Sequence, residues 1–207
     1  MAVDKLDGVA TPAIPLPPNE YSRVYHESLN NVLRLYFNRL GGNVNTILSP
    51  DNGARFLSRP NALFYSTVDQ SAAAVDTGYP VTFNQTYKSD DISLVSNSRI
   101  PAAYSGIYSF KLSVQLNQTN SSAEDVYIWI NRNGTDQPYG AHHYVVSGSN
   151  SALVANWVFD VDITAGQYIE FKWSTTDTGV TLNAEAAASP HPGIPSAVCA
   201  VNYVSAL

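Results

Sequence analysis

Residue types able to do chemistry are few in this chain, and their spacing does not favour it. Cys199 is the single cysteine, so neither an intrachain disulfide nor a thiolate metal cluster can form. It lies in the apolar run Ala197–Val201 and reads as a small buried hydrophobe rather than a reactive thiol. His142 and His143 are adjacent. Neighbours in a strand point to opposite faces, so the pair cannot easily chelate one metal ion within a single chain, whereas a symmetric assembly could bring one of them to its copies near an axis. His26 falls in a helical stretch and His191 in Ser-Pro-His-Pro-Gly, and neither has a motif partner. Asp160 and Asp162 share a strand face, with Glu170 close in sequence. Paired carboxylates could form a glycosidase couple or a calcium site, yet Asp162-Ile-Thr-Ala-Gly-Gln reads better as a turn entering a strand. No Gly-x-Ser-x-Gly, phosphate loop or dinucleotide fingerprint occurs. The expectation is therefore no enzyme: no catalytic residue, no cofactor and no metal.

Polar loops are better candidates for recognition. Residues 117–125 are polar, and residues 131–139 add Arg132, Asp136 and Tyr139. Amide, carboxylate and aromatic groups together suit sugar hydroxyls and pyranose faces, which makes Asn133, Asp136 and Tyr139 the candidate glycan contacts.

The chain has 207 residues and a formal charge of −6, with 44% hydrophobic and only 14% charged residues. That length fits one sizeable β domain plus an appendage. A neutral-polar, Tyr-rich surface suits large interfaces. Mild acidity without clustered Lys or Arg argues against nucleic acid. Met1 to Lys5 open no signal peptide, and no apolar run has membrane-spanning length, so synthesis in a cytoplasm without membrane insertion is expected.

Three segments position these groups: an arm and helix over 1–42, a connector over 43–61 and a β domain over 62–207. Pro12, Pro15, Pro17 and Pro18 deny residues 1–18 a helix or a central strand, leaving an extended arm with Val9, Ile14 and Leu16 available to dock. Residues 19–40 read as a helix, with Asn19 as N-cap and Gly41-Gly42 as the stop. Tyr21, Tyr25, Leu29, Val32, Tyr36 and Leu40 make one stripe on it, assigned to anchoring or oligomerisation. Pro50, Asp51-Asn52-Gly53 and Pro60 mark the connector.

Beyond it, about ten strands are expected, with no helix among them: 62–66, 79–83, 92–95 with 98–100, 105–116, 125–131, 139–146, 152–161, 167–173, 180–184 and 197–204. Tyr108, Phe110, Leu112, Val114 and Leu116 alternate with mostly polar residues, the period of a strand with one face in a core. Asn133-Gly134 signals a type I′ hairpin, and Gly106 is read as a turn residue. Strands 126–131, 152–161 and 167–173 are apolar on both faces, and side-by-side sandwiches would bury the excess.

Four stretches occur in an order that resembles the ten-stranded jelly roll of the complement component one-q and tumour necrosis factor-like superfamily. They are Ser105-Gly-Ile-Tyr-Ser-Phe110, Trp129 to Gly134, Ala165-Gly-Gln-Tyr-Ile-Glu170 and the terminal strand 197–204. A closer likeness is to β-rich virion structural proteins of marine bacteriophages, carried by residues 126–134, 154–157 and 166–173 behind residues 17–38. The resemblance implies a homotrimer that buries aromatic-rich faces about a three-fold axis, binds proteins or glycans and performs no chemistry. Tyr127, Trp129, Trp157, Phe159, Tyr168 and Trp173 are the corresponding packing candidates. The chain lacks the collagen stem of the animal members, and its Tyr-rich helix stands in that place.

The reading is thus an all-β jelly-roll sandwich behind a Pro-rich arm and one α-helix, acting as a non-enzymatic virion structural protein. It would be a trimeric tail-fibre-like or head-decoration protein, held to capsid or tail proteins through residues 1–40, with its β domain projecting toward host-surface glycan. The alternative is a soluble carbohydrate-binding lectin or adhesin.

Overall fold

The computed structural model describes residues 10–47 and 59–206. They belong to two compact units, Met1–Leu57 and Ser58–Leu207.

In the first unit, residues 10–18 carry neither helix nor strand, as their prolines require. Helix α1 spans Arg23–Ile47, which corrects both expected ends. Ser22 caps it in place of Asn19: the Tyr25 N–H donates to the Ser22 hydroxyl oxygen at 3.3 Å. At the other end the helix continues through Gly41 and Gly42. Each glycine costs about 1 kcal/mol relative to alanine but leaves the right-handed conformation open. The Thr46 hydroxyl donates to the Gly42 carbonyl at 3.0 Å across that last turn. Residues 1–9 of the arm, with Val9, and the connector signals Pro50 and Asp51-Asn52-Gly53 lie outside the described residues.

The second unit is all β. Its strands are β1 (Asn61–Ser66), β2 (Gln70–Ser71), β3 (Tyr79–Pro80), β4 (Gln85–Asp90), β5 (Arg99–Pro101), β6 (Gly106–Gln118), β7 (Ala123–Arg132), β8 (Thr135–Ser147), β9 (Ser151–Ile163), β10 (Tyr168–Thr175), β11 (Val180–Leu182) and β12 (Ala197–Ser205). All ten expected strand regions hold strand, and β2 and β4 are additional. The stretch 92–95 does not pair as a strand. Ser96 and Asn97 take positive φ values of 51° and 60°, and the tight turn they form leaves only a Val95–Arg99 bridge before β5.

Two antiparallel sheets form a sandwich with jelly-roll connectivity. The first sheet has seven strands in the order β2-β11-β6-β12-β1-β4, with β9 paired to β6; the second has five in the order β3-β10-β7-β8, with β5 paired to β10. The chain crosses repeatedly between them. β6 is the axis of the first sheet: β9 lines one edge from Gly106↔Ile163 to Gln118↔Ser151, and β12 then β11 line the other. Its burial alternates as its sequence does, with Tyr108, Phe110, Leu112, Val114 and Leu116 inward. Phe110 meets Phe171 of the opposite sheet edge-on at 6.0 Å between ring centroids. Cys199 is fully buried beside them, and burial pushes its thiol pKa up, so it is the small hydrophobe expected.

Turn chemistry follows the sequence at Asn133 (φ 50°) and Gly134 (φ 88°), both left-handed as a type I′ hairpin demands. Gly106 differs from the turn role expected of it. It is the first residue of β6, and a Cβ there would press into the Tyr203 ring and stand 2.6 Å from the Ser205 carbonyl oxygen. The glycine makes room for Tyr203, whose ring meets Tyr108 edge-on at 5.2 Å. Gly106→Ala should therefore destabilise the sandwich by about 1–3 kcal/mol through overpacking. Denaturant unfolding checks this, with Gly41→Ala, a helical position open on all sides, as the substitution that costs the sandwich nothing.

Candidate interaction surfaces

Among residues 10–46 none is buried. Tyr25, Leu29, Val32 and Tyr36 are half-buried on one side of α1, while Tyr21, Val24, Leu35, Phe37 and Leu40 are exposed. Four of the six expected stripe residues thus share one half-buried side, while Tyr21 precedes the helix and Leu40 is exposed. Tyr21 stacks on His26 at 5.1 Å. Among the described residues no helix is long and apolar enough to cross a membrane.

The outer faces of the two sheets have different chemistry. On the first sheet, cross-strand register builds the rows Val158–Lys111–Ala200–Leu63 and Asn156–Ser113–Val198–Tyr65 across β9, β6, β12 and β1. Small and neutral side chains dominate, and Lys111, Asp160 and Asp162 are the charges at the outward positions of these strands. β9 pairs only with β6 among the described strands. Along this edge, which β8 meets only through side chains such as the Tyr144 hydroxyl donating to the Asn156 carbonyl at 3.3 Å, Val158 is 64% and Val154 51% exposed, and the inward-pointing Trp157 and Phe159 are only half-buried. Phe159 stacks on Phe110 at 5.3 Å, and Trp157 reaches His142 at 4.4 Å.

The second sheet is aromatic and ionic outside. Trp129 lies with one ring edge against Gly78, where a Cβ would stand 2.9 Å away. Its indole N–H donates to the Asp136 carboxylate. The Asn131 side-chain amide donates to Asp136 Oδ1 at 2.7 Å, while Asn131 Oδ1 accepts the Gly134 N–H at 2.9 Å, so one buried asparagine fixes both the hairpin turn and the carboxylate. Lys172 Nζ stands 3.9 Å from the same oxygen. The Asn131 hydrogen bond, then that from Trp129, holds the Asp136 pKa below the ordinary aspartate value. Beside this cluster Arg99 covers the Tyr168 ring at 4.7 Å, and the buried Glu170 accepts the Ser98 hydroxyl at 2.6 Å. Farther along, His143 Nε2 meets Asp125 Oδ1 at 2.7 Å and stacks on Tyr127 at 4.8 Å.

The trimer-packing residues singled out from the sequence therefore separate. Trp173, 1% exposed, is core and cannot serve as an interface residue, because inward alternation in β10 seals it inside its own sandwich. Trp157 and Phe159 line the bare edge. Tyr127, Trp129 and Tyr168 sit among charges on the second sheet. Of the glycan candidates, Asn133 is the exposed turn residue, Asp136 is the fixed carboxylate and Tyr139 is fully exposed. His142 and His143 point to opposite sides, as alternation requires. Asp160 and Asp162 face out from β9 in the first sheet while Glu170 belongs to the second, so the three form no couple. Among the described residues no three His, Cys, Asp or Glu side chains group to hold a metal ion. A cleft of about 590 Å³ lies between Tyr65–Asp69 and residues 184–195. Its polar groups fasten the loops that bound it: Asp69 Oδ1 accepts the Ala184 N–H at 2.7 Å, and Glu185 exchanges backbone bonds with Ile194.

No family model matches the sequence, and a comparison with curated proteins finds no match. Among solved structures the chain is similar to the globular domain of zebrafish complement 1qA protein, with 11% identity and a TM-score of 0.44 over 72% of this chain and 100% of that one.

The cluster around Asp136 generates an acid-range expectation. Because the folded pKa is depressed, the ionised carboxylate's contribution to stability is complete above the unfolded value and disappears as pH falls through the folded one. Asn131→Ala removes the largest cause, so the Asp136 carboxyl resonance should titrate nearer the ordinary aspartate value, while Lys172→Ala should move it less. An NMR pH titration of the side-chain carbons reads both shifts.

Proposed function

We propose that the chain is a non-enzymatic structural module that self-associates as a homotrimer through the outer face and bare edge of its first sheet. In this reading residues 1–40 tie it to the capsid or tail of a virion. The observation that carries the association is the β9 edge, where Val154 and Val158 face out and Trp157 and Phe159 remain half-buried beside a mostly neutral sheet face whose charges include Lys88, Lys111, Asp160 and Asp162. A long apolar edge left bare invites uncontrolled pairing, and a closed ring that covers it is the ordered alternative. Small residues such as Ser109, Ser113 and Ala200 let a neighbouring sandwich approach closely, and Lys111 can meet a neighbour's Asp160. The packing residues are then Val154, Val158, Val198, Leu63 and Tyr65 with Trp157 and Phe159, rather than the second-sheet aromatics.

The anchoring reading is supported by α1, none of whose described residues is fully buried and which carries apolar groups around much of the helix. Apolar surface of that extent is used by helices that lie in a partner's groove. In a virion the sandwich would project outward from that attachment.

Light scattering of the full chain at micromolar concentration tests the assembly. The expected mass is three times the 22.4 kDa of one chain, and Val158→Asp should shift it to the monomer without loss of the β-sheet circular dichroism signal. A monomeric or dimeric parent protein overturns the trimer. For the anchor, labelled full-length chain should decorate virions in electron micrographs, and removal of residues 1–40 should abolish the label while the trimer persists.

A further inference from the structure

The second sheet carries a feature that neither association nor anchoring uses. β7 and β8 pair regularly through Trp129↔Ala141 and again at Asn131↔Asp136, so the four residues Gln137 to Gly140 stand against Ile130 alone. This is a large bulge on an edge strand. It is tightly built: a Cβ on Gly140 would lie 3.2 Å from the Gln137 carbonyl oxygen and 3.7 Å from Ile130, and Pro138 restricts the backbone further. At its tip Tyr139 takes a left-handed φ of 60°, a conformation disfavoured for a large aromatic residue. Its side chain is fully exposed. A sandwich gains no packing from an aromatic ring held in water on a strained backbone, and bulges of this kind re-aim side chains toward ligands.

We propose that the β8 bulge is a binding site for the neutral pyranose units of a glycan, with the Tyr139 ring stacking on a sugar face and Asp136 accepting its hydroxyls. The ring provides the flat apolar platform that the C–H face of a pyranose needs. Asp136 lies three residues before it, at most about 10 Å away along the chain, within reach of the same short oligosaccharide. Asn131 and Trp129 hold that carboxylate in place from one side, and an ionised carboxylate has acceptor sites for further donors. Charge selects the sugar class. Asp136 is matched by Lys172 at 3.9 Å, and Arg132 is matched by Asp162 at 3.7 Å. With each local charge paired, the site offers no net field to a sulfated or sialylated chain, and hydrogen bonding and stacking remain as the sources of affinity. The bulge belongs to the sheet opposite the association face. The inference therefore goes beyond the trimer and does not require it, although a trimer would display three such sites and raise avidity toward a polyvalent surface.

The experiment uses the full-length chain on an array of neutral, sialylated and sulfated oligosaccharides, followed by saturation-transfer NMR with the neutral glycan that binds. The expected result is saturable binding of at least one neutral glycan, with sugar-ring protons receiving saturation from the protein. Tyr139→Gly, which suits the positive φ and leaves the loop in place, should weaken binding at least tenfold. Tyr139→Phe should retain it, and Asp136→Asn should weaken it severalfold. None of these variants should change the mass by light scattering, whereas Val158→Asp should change the mass and leave binding per chain intact, so failure of the glycan site and failure of the trimer read differently. Four results would overturn the proposal: no neutral glycan bound by the parent protein, binding confined to acidic glycans, undiminished binding by Tyr139→Gly, or a protein partner held through Tyr139 with no glycan.

Discussion

The ladder between β6 and β9 is the constraint on which the rest of the molecule depends. It pairs the whole of β6, from Gly106 to Gln118, with the whole of β9. Because side chains alternate with period two, this register fixes at once which residues of both strands face the core. Phe110 and Phe159 then stack at 5.3 Å inside the first sheet and meet Phe171 of the second edge-on, at 6.0 and 5.5 Å. The same ladder leaves β9 as an edge. Its inward residues Trp157 and Phe159 have a paired strand on one side and only side chains of β8, such as His142, on the other, which is why large aromatic groups stay half-buried there. The exposed apolar strip along β9 is thus a consequence of where the sheet ends.

Low charge shapes the two outer faces differently. With 14% charged residues, the chain cannot spread ions evenly, and the second sheet takes most of those that interact: Arg99 with Glu170, Lys172 with Asp136 and His143 with Asp125. These exposed or half-exposed pairs each contribute little to stability. Their effect is to keep that face hydrated beside its aromatics, whereas the outward positions of β9, β6, β12 and β1 are mostly neutral. Glu170 is the exception in burial. At 8% exposure it requires the Ser98 hydroxyl to satisfy it, and so ties the turn before β5 to β10.

Much of the fold is legible in the sequence because its signals are local. Alternation from Tyr108 to Leu116 and the Asn133-Gly134 turn each need only neighbouring residues to express their preference. What the sequence conceals is decided across strands. Nothing near Lys172 marks it; its partner Trp129 comes from the β10–β7 register. Trp129 and Trp173 both look like apolar excess, yet one lies outside against Gly78 and the other is sealed in the core, because β7 and β10 present opposite parities to the same interior. Gly106 reads as a turn residue, and only the approach of Tyr203 reveals why no side chain fits. The bulge at Gln137–Gly140 is equally hidden, since Pro138 and Gly140 are as compatible with a loop as with an interrupted strand. Tyr139 and Asp136 could be singled out by residue type, but not the strained backbone that presents the one or the asparagine that fixes the other.

Helix α1 poses the opposite case, a clear sequence signal with weak local support. It has no acidic residue in its first turn and no basic residue in its last to complement the dipole. Its exposed Arg23–Glu27 pair, at 2.7 Å, runs in the less favourable order for an i,i+4 contact. Gly41 and Gly42 together subtract about 2 kcal/mol relative to alanine near its end. Isolated helices draw on such terms alone and are marginal in water even when those terms are good. The sequence nevertheless repeats apolar residues at three- and four-residue intervals from Tyr21 to Leu40, and a stripe so placed stabilises a helix only when something covers it. The residues that make α1 a helix and those that would make it an anchor are therefore the same residues, so in the proposed anchor order and attachment would be one free-energy term.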